Sequence, residues 1–135
     1  MGSLKSLQAA AHDIGHHAQS GLSYIHPHLG QACRQAGVDQ ARVDLLTDAP
    51  YPAGLPDHQP LALALLNLRR RFLDILARYQ LAPDDVTGVE MQFAFTHDRH
   101  DDSLCAVRTV ITDRTGRTYE RMLPYIDERA PERRG

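Results

Sequence analysis

The hydrophobic period of this chain changes at Pro83, and that change sets its fold class. Before it, Leu61, Leu65, Leu68, Phe72, Ile75 and Tyr79 recur at alternating spacings of four and three, which only an α-helix brings to one face. After it, Val89, Met91, Phe93 and Phe95 alternate with Glu90, Gln92 and Ala94, the period of a half-buried strand. Leu104 to Thr112, rich in valine, isoleucine and threonine, and Arg117 to Leu123 continue as strands. Between them, Asp113-Arg114-Thr115-Gly116 offers a glycine for the positive φ of a tight turn. A long helix followed by an antiparallel meander predicts an α+β domain.

The N-terminal part is helical by the same test, with Leu7, Ala11, Ile14, Ala18, Leu22, Ile25 and Leu29 in steps of three and four. Gly15 and Gly21 each cost about 1 kcal/mol inside a helix, and Pro27 biases His26 away from helical geometry. A bend or break between residues 20 and 27 is expected, with Ser20 or Ser23 capping the second piece and Gly37 ending it. Arg42 to Leu46 reads as a short added strand. Asp48 to Pro60 carries Pro50, Pro52, Gly54, Pro56 and Pro60 and reads as a proline-stiffened strap across the core, with partner contact through Tyr51, Leu55 and His58 as the alternative. The expected architecture is N-terminal helical segments and one long amphipathic helix packed on a C-terminal three-stranded meander. Residues 1–126 form the single domain, and 127–135 a charged, disordered tail.

A chain of 135 residues that is 42% hydrophobic and 24% charged matches one ordinary globular domain. No apolar run approaches the roughly 20 residues that span a bilayer, and Leu4 to Ala18 is an interrupted amphipathic pattern rather than a secretory leader. A cytoplasmic location without a membrane partner is therefore expected. A formal charge of -2 and a pI near 6.4 give no global attraction to nucleic acid. Arg69, Arg70 and Arg71 fan out about 100° apart around their helix instead of forming one patch. Cys33 and Cys105 make no CxxC pair, so neither a disulfide framework nor a zinc ribbon is indicated. The sequence holds no GxSxG elbow, P-loop or GxGxxG fingerprint.

Chemistry-bearing side chains concentrate instead in His12-Asp13-Ile14-Gly15-His16-His17. His12 and His16 are four apart, hence on one helix face, the separation at which two imidazoles reach one metal ion; Asp13 and His17 repeat the relation one position round. A divalent metal such as zinc requires a third ligand. His17, His26, His28, His58 and the hairpin tip Thr96 to Asp102, with its two histidines and three aspartates, are the candidates. The plainer reading of both clusters is a solvated helix face and a solvated turn, since histidine is common at surfaces and aspartate favours turns.

The segment His12-Asp-Ile-Gly-His16 resembles the HExxH motif of zinc hydrolases, with a shorter carboxylate in place of glutamate. Ala10-Ala11-His12-Asp13-Ile14-Gly15-His16 also resembles the His-Asp segment of HD-family phosphohydrolases. There, an adjacent histidine and aspartate ligate a metal that activates water for phosphoester cleavage. That resemblance implies metal-ligand roles for His12 and Asp13 alone. The family's upstream histidine ligand has no counterpart in the eleven residues before His12, and its all-helical fold departs from the sheet pattern here. A third likeness, to the phosphoacceptor helix of sensor histidine kinases, is out of register by one residue and lacks a nucleotide-binding box.

The function expected from these features is that of a small cytosolic interaction or accessory protein that self-associates as a homodimer. Leu63, Leu66, Leu73 and Leu76 widen the apolar stripe of the long helix beyond one sheet face, with core burial as their favoured reading and contact with the N-terminal helices or another subunit as the alternative; Tyr51, Leu55, Leu68 and Phe72 are the residues assigned to the interaction surface. The competing expectation is a metal-binding protein or metal-dependent hydrolase centred on His12, Asp13, His16 and His17.

Overall fold

The computed structural model describes residues 4–19, 29–47, 51–95 and 104–124. The expected break between residues 20 and 27, the hairpin tip and the tail 127–135 lie outside the described residues. Within them the order is α1 (Leu4–Gln19), α2 (Leu29–Ala36), β1 (Gln40–Asp44), α3 (Gln59–Arg78), a 3-10 turn at Pro83–Asp85, β2 (Val86–Phe95), β3 (Leu104–Asp113) and β4 (Thr118–Pro124). The strands form one sheet in the order β1-β2-β3-β4, antiparallel throughout. The meander is thus present, and the short strand joins it beside β2, reached from the meander through α3.

Each helix ends where its local chemistry dictates. Gly37 takes φ +76, which leaves its N–H free to donate to Arg34 O at 3.0 Å while Val38 N–H donates to Cys33 O at 2.8 Å. These two bonds satisfy the last carbonyls of α2, and the buried Val38 closes the turn with an apolar contact. At the start of α3, the Nδ1 of His58 accepts from Leu61 N–H at 3.1 Å and Pro60 occupies the first turn, where its missing N–H costs nothing. The strap is tied to itself by the Tyr51 hydroxyl, which donates to Pro56 O, and the segment after β1 to α3 by Arg69 Nε, which donates to Thr47 O at 2.6 Å.

The helices pack on one face of the sheet. Leu7, Ala10, Ala11 and Ile14 of α1, Leu61, Leu65, Leu68, Phe72 and Ile75 of α3, and Val43, Met91, Phe93 and Ile111 of the strands belong to one buried cluster. Small residues let α1 lie close against β3 and β4, whereas the long leucines of α3 fill the wider space beside α1 and α2. The opposite sheet face carries no helix among the described residues, as antiparallel sheets permit.

The β3–β4 hairpin is organised by one side chain. The carboxylate of Asp113 accepts from the Thr115 hydroxyl at 2.6 Å, from the backbone N–H groups of Thr115 and Arg117 at 2.9 and 3.0 Å, and from the Tyr119 hydroxyl at 3.2 Å. Gly116, at φ +87, completes the turn. The Thr115 hydroxyl first, then the two backbone donors and Tyr119, hold the Asp113 carboxyl below the usual aspartate range against the opposing effect of desolvation. A carboxyl depressed in the folded state contributes stability above its unfolded value, and that contribution is lost as pH falls through the folded one. Following the Asp113 carboxyl carbon by NMR through an acid titration is expected to give a midpoint below about 3.9. A midpoint at or above that value would remove its role as the hairpin's anchor.

Candidate functional site

The buried stripe of α1 fixes where its polar residues go. His12 and His16 project to the exposed side, their rings stacked with centroids 6.4 Å apart and planes 16° from parallel. Asp13 turns toward α3, and its Oδ2 accepts from Arg78 Nη1 at 2.6 Å. This carboxylate is only 17% exposed, so the pair joins the two helices rather than sitting loose in solvent. The side chain of His17 lies outside the described atoms, as do His26, His28 and the hairpin tip. His58 serves as the cap of α3. Among the described residues no three histidine, cysteine, aspartate or glutamate side chains converge as a metal site. His12 and His16 alone offer two imidazoles, one fewer protein ligand than catalytic zinc uses.

Leu68 and Phe72 are placed in the monomer's core, each 2% exposed. Tyr51 and Leu55 are half-buried against that core, which is the packing expected of the proline-stiffened strap. Leu55 also borders an open cleft of about 420 Å³, shared with Pro52, Arg42 and Gln92, between the strap and the β1 edge. Of the residues that widen the stripe of α3, Leu76 is buried, Leu66 and Leu73 are half-buried, and Leu63 stays 52% exposed.

The sheet face that carries no helix among the described residues has an order that no short motif announces. Strand pairing aligns Arg42, Gln92, Arg108 and Met122 in one cross-strand row, and Asp44, Glu90, Val110 and Glu120 in the next. One row is therefore basic and its neighbour acidic. Arg42 Nε pairs with Glu90 and Arg108 Nε with Glu120, both diagonally between the rows, while Arg108 Nη1 reaches Gln92 Oε1 at 3.4 Å. The bond to Glu90, reinforced by its charge, pushes the Arg42 guanidinium further above its ordinary value. Met122, 59% exposed, closes the basic row at the β4 edge. The signal available in the sequence was the recurrence of charged residues at alternate strand positions. Which of them share a row depends on register, which no single strand encodes.

Cys33 is a free thiol inside the core. Desolvation pushes its ionisation up to about 12, so the reactive thiolate is scarce at neutral pH. Peptide mapping after iodoacetamide treatment is expected to show Cys33 unmodified in the folded protein and modified in urea; rapid labelling of the folded chain would contradict its placement.

No protein-family model, curated protein or solved structure matches this chain.

Proposed function

We propose that this chain is a small cytosolic protein-interaction module that works as a homodimer, two copies meeting through the sheet face on which no helix packs among the described residues. The observation that supports this reading is the adjacency of the basic and acidic rows. A two-fold axis lying in the contact plane, parallel to the rows and midway between them, places the basic row of one copy over the acidic row of the other. The surface is thus complementary to itself, as an isologous interface requires. Met122 supplies an exposed apolar side chain at its rim.

Four strands about 4.8 Å apart, with same-face residues about 6.8 Å apart along each, give a flat area of roughly 400 Å² per copy. That places the contact among reversible rather than obligate dimers, and its charged composition makes it sensitive to salt. A buried free thiol in place of a disulfide suits a reducing compartment. Sedimentation of the full chain from micromolar to millimolar concentration tests the reading. The expected result is a mass rising from one copy toward two at low salt and falling back at high salt; a single-copy mass throughout would overturn it.

A further inference from the structure

The inner face of the sheet carries two buried polar atoms, on adjacent strands, without a hydrogen-bond partner among the described residues. Its described positions are otherwise apolar, from Ala41 and Val43 through Met91 and Phe93 to Val107 and Ile111, apart from Tyr119, whose hydroxyl donates to Asp113. The exceptions are Thr109 and Arg121, register partners on β3 and β4. Thr109 is 0% exposed. Its Oγ1 and the Nε of Arg121 are both buried with no hydrogen-bond partner among the described residues. Directly paired residues place their Cβ atoms about 5 Å apart, so the two side chains are cross-strand neighbours on the inner face.

The element above them cannot supply the missing charge. α1 packs over β3 and β4, and its sequence holds a single acid, Asp13, whose carboxylate is bound to Arg78. On β4, Glu120 faces the opposite side and pairs with Arg108. A buried guanidinium N–H and a buried hydroxyl, both left as donors, cost free energy until an acceptor meets them. An inward charge on an edge strand also discourages edge-to-edge pairing, but that role needs only a hydrated guanidinium and no neighbouring hydroxyl.

We infer that Arg121 and Thr109 form a binding site for an oxyanion, a carboxylate or phosphate group, between α1 and the β3–β4 edge. One oxygen accepts from the Thr109 hydroxyl and another from the Arg121 guanidinium, a charge-assisted contact that outweighs its neutral equivalent. Arg121 is itself half-exposed on an edge strand, so the ligand enters along β4. The same chemistry has two sources: a free anion, or the carboxylates of Asp127, Glu128 and Glu132 in this chain's own C-terminal segment.

The test is a titration of the full-length protein with inorganic phosphate at constant ionic strength, followed by NMR at the Arg121 Nε, its resonance assigned by its loss in Arg121→Gln. The expected result is a saturable shift, weakened about tenfold or more in Thr109→Val and restored in Thr109→Ser. Thr109→Val keeps the shape of the side chain and the inner-face packing, so a fold that survives without phosphate binding isolates the hydroxyl. An Arg121 resonance that does not move, or that saturates equally in Thr109→Val, overturns the site. Tighter phosphate binding in Asp127→Asn/Glu128→Gln/Glu132→Gln would support the site with the chain's own carboxylates as its resident occupant. Unchanged affinity in that variant would support it with a free anion.

Discussion

Replacing Phe72 with alanine is expected to destabilise the fold by about 3–5 kcal/mol, the range for truncating a buried aromatic. Phe72 sits on α3 in the one buried cluster that joins helices to sheet, so the lost ring leaves a space that neither layer can fill by moving alone. A domain of this size has only about 5–15 kcal/mol to lose, which puts the variant near the limit of folding. Urea unfolding followed by circular dichroism measures the change directly. Leu63→Ala is the matched control: it lies on the same helix but is 52% exposed, and a change within about 0.5 kcal/mol is expected. Equal losses at the two positions, or a loss under about 1 kcal/mol at Phe72, would contradict the packing described.

The contrast between those two residues also shows what the sequence could and could not reveal. The stripe from Leu61 to Tyr79 was legible because helical period and burial coincide over five turns: Leu61 to Ile75 fall inside the cluster and Tyr79 packs against it. The C-cap at Gly37 and the turn at Gly116 were legible because each needs a backbone conformation that glycine adopts freely. The period of two located the meander, although β2 begins at Val86 and β1 at Gln40, because strand ends are set by pairing partners rather than by local pattern. Leu63 shows the limit in the other direction: its spacing favours core burial as much as that of Leu76 does, and only the packed structure separates the exposed Leu63 from the buried Leu76.

The site residues were harder to read for a related reason. Asp13 reads as a candidate ligand because its neighbours in sequence are histidines, and nothing in that stretch marks its contact with Arg78, on another helix. The same distance problem hid the charged sheet face. Arg42, Glu90, Arg108 and Glu120 come from four strands, and nothing near any one of them marks it as part of a row. Thr109 and Arg121 are similar, since an inward arginine becomes visible only once the register defines which way is in. Local chemistry was thus readable and nonlocal pairing was not.

If copies meet as proposed, reversing the charge of one row should weaken self-association at least tenfold, and mixing oppositely reversed chains should restore it. In Arg42→Glu/Arg108→Glu, both rows become acidic and two copies repel; in Glu90→Arg/Glu120→Arg, both become predominantly basic with the same result. Each double substitution breaks the Arg42–Glu90 and Arg108–Glu120 pairs within the monomer, but exposed pairs are worth only about 0–1 kcal/mol each. Both variants are therefore expected to fold, with unchanged circular dichroism. Their homodimer dissociation constants should rise at least tenfold, about 1.4 kcal/mol, since facing like charges penalise an interface. An equimolar mixture presents an acidic face to a basic one and is expected to form a heterodimer at least as tight as the unaltered homodimer at low salt. The mixture is the decisive arm, because damage to folding would weaken association in every combination, whereas row-on-row pairing alone predicts recovery. Reversed chains that remain dimers, or a mixture that stays monomeric, would show that copies do not meet through this face.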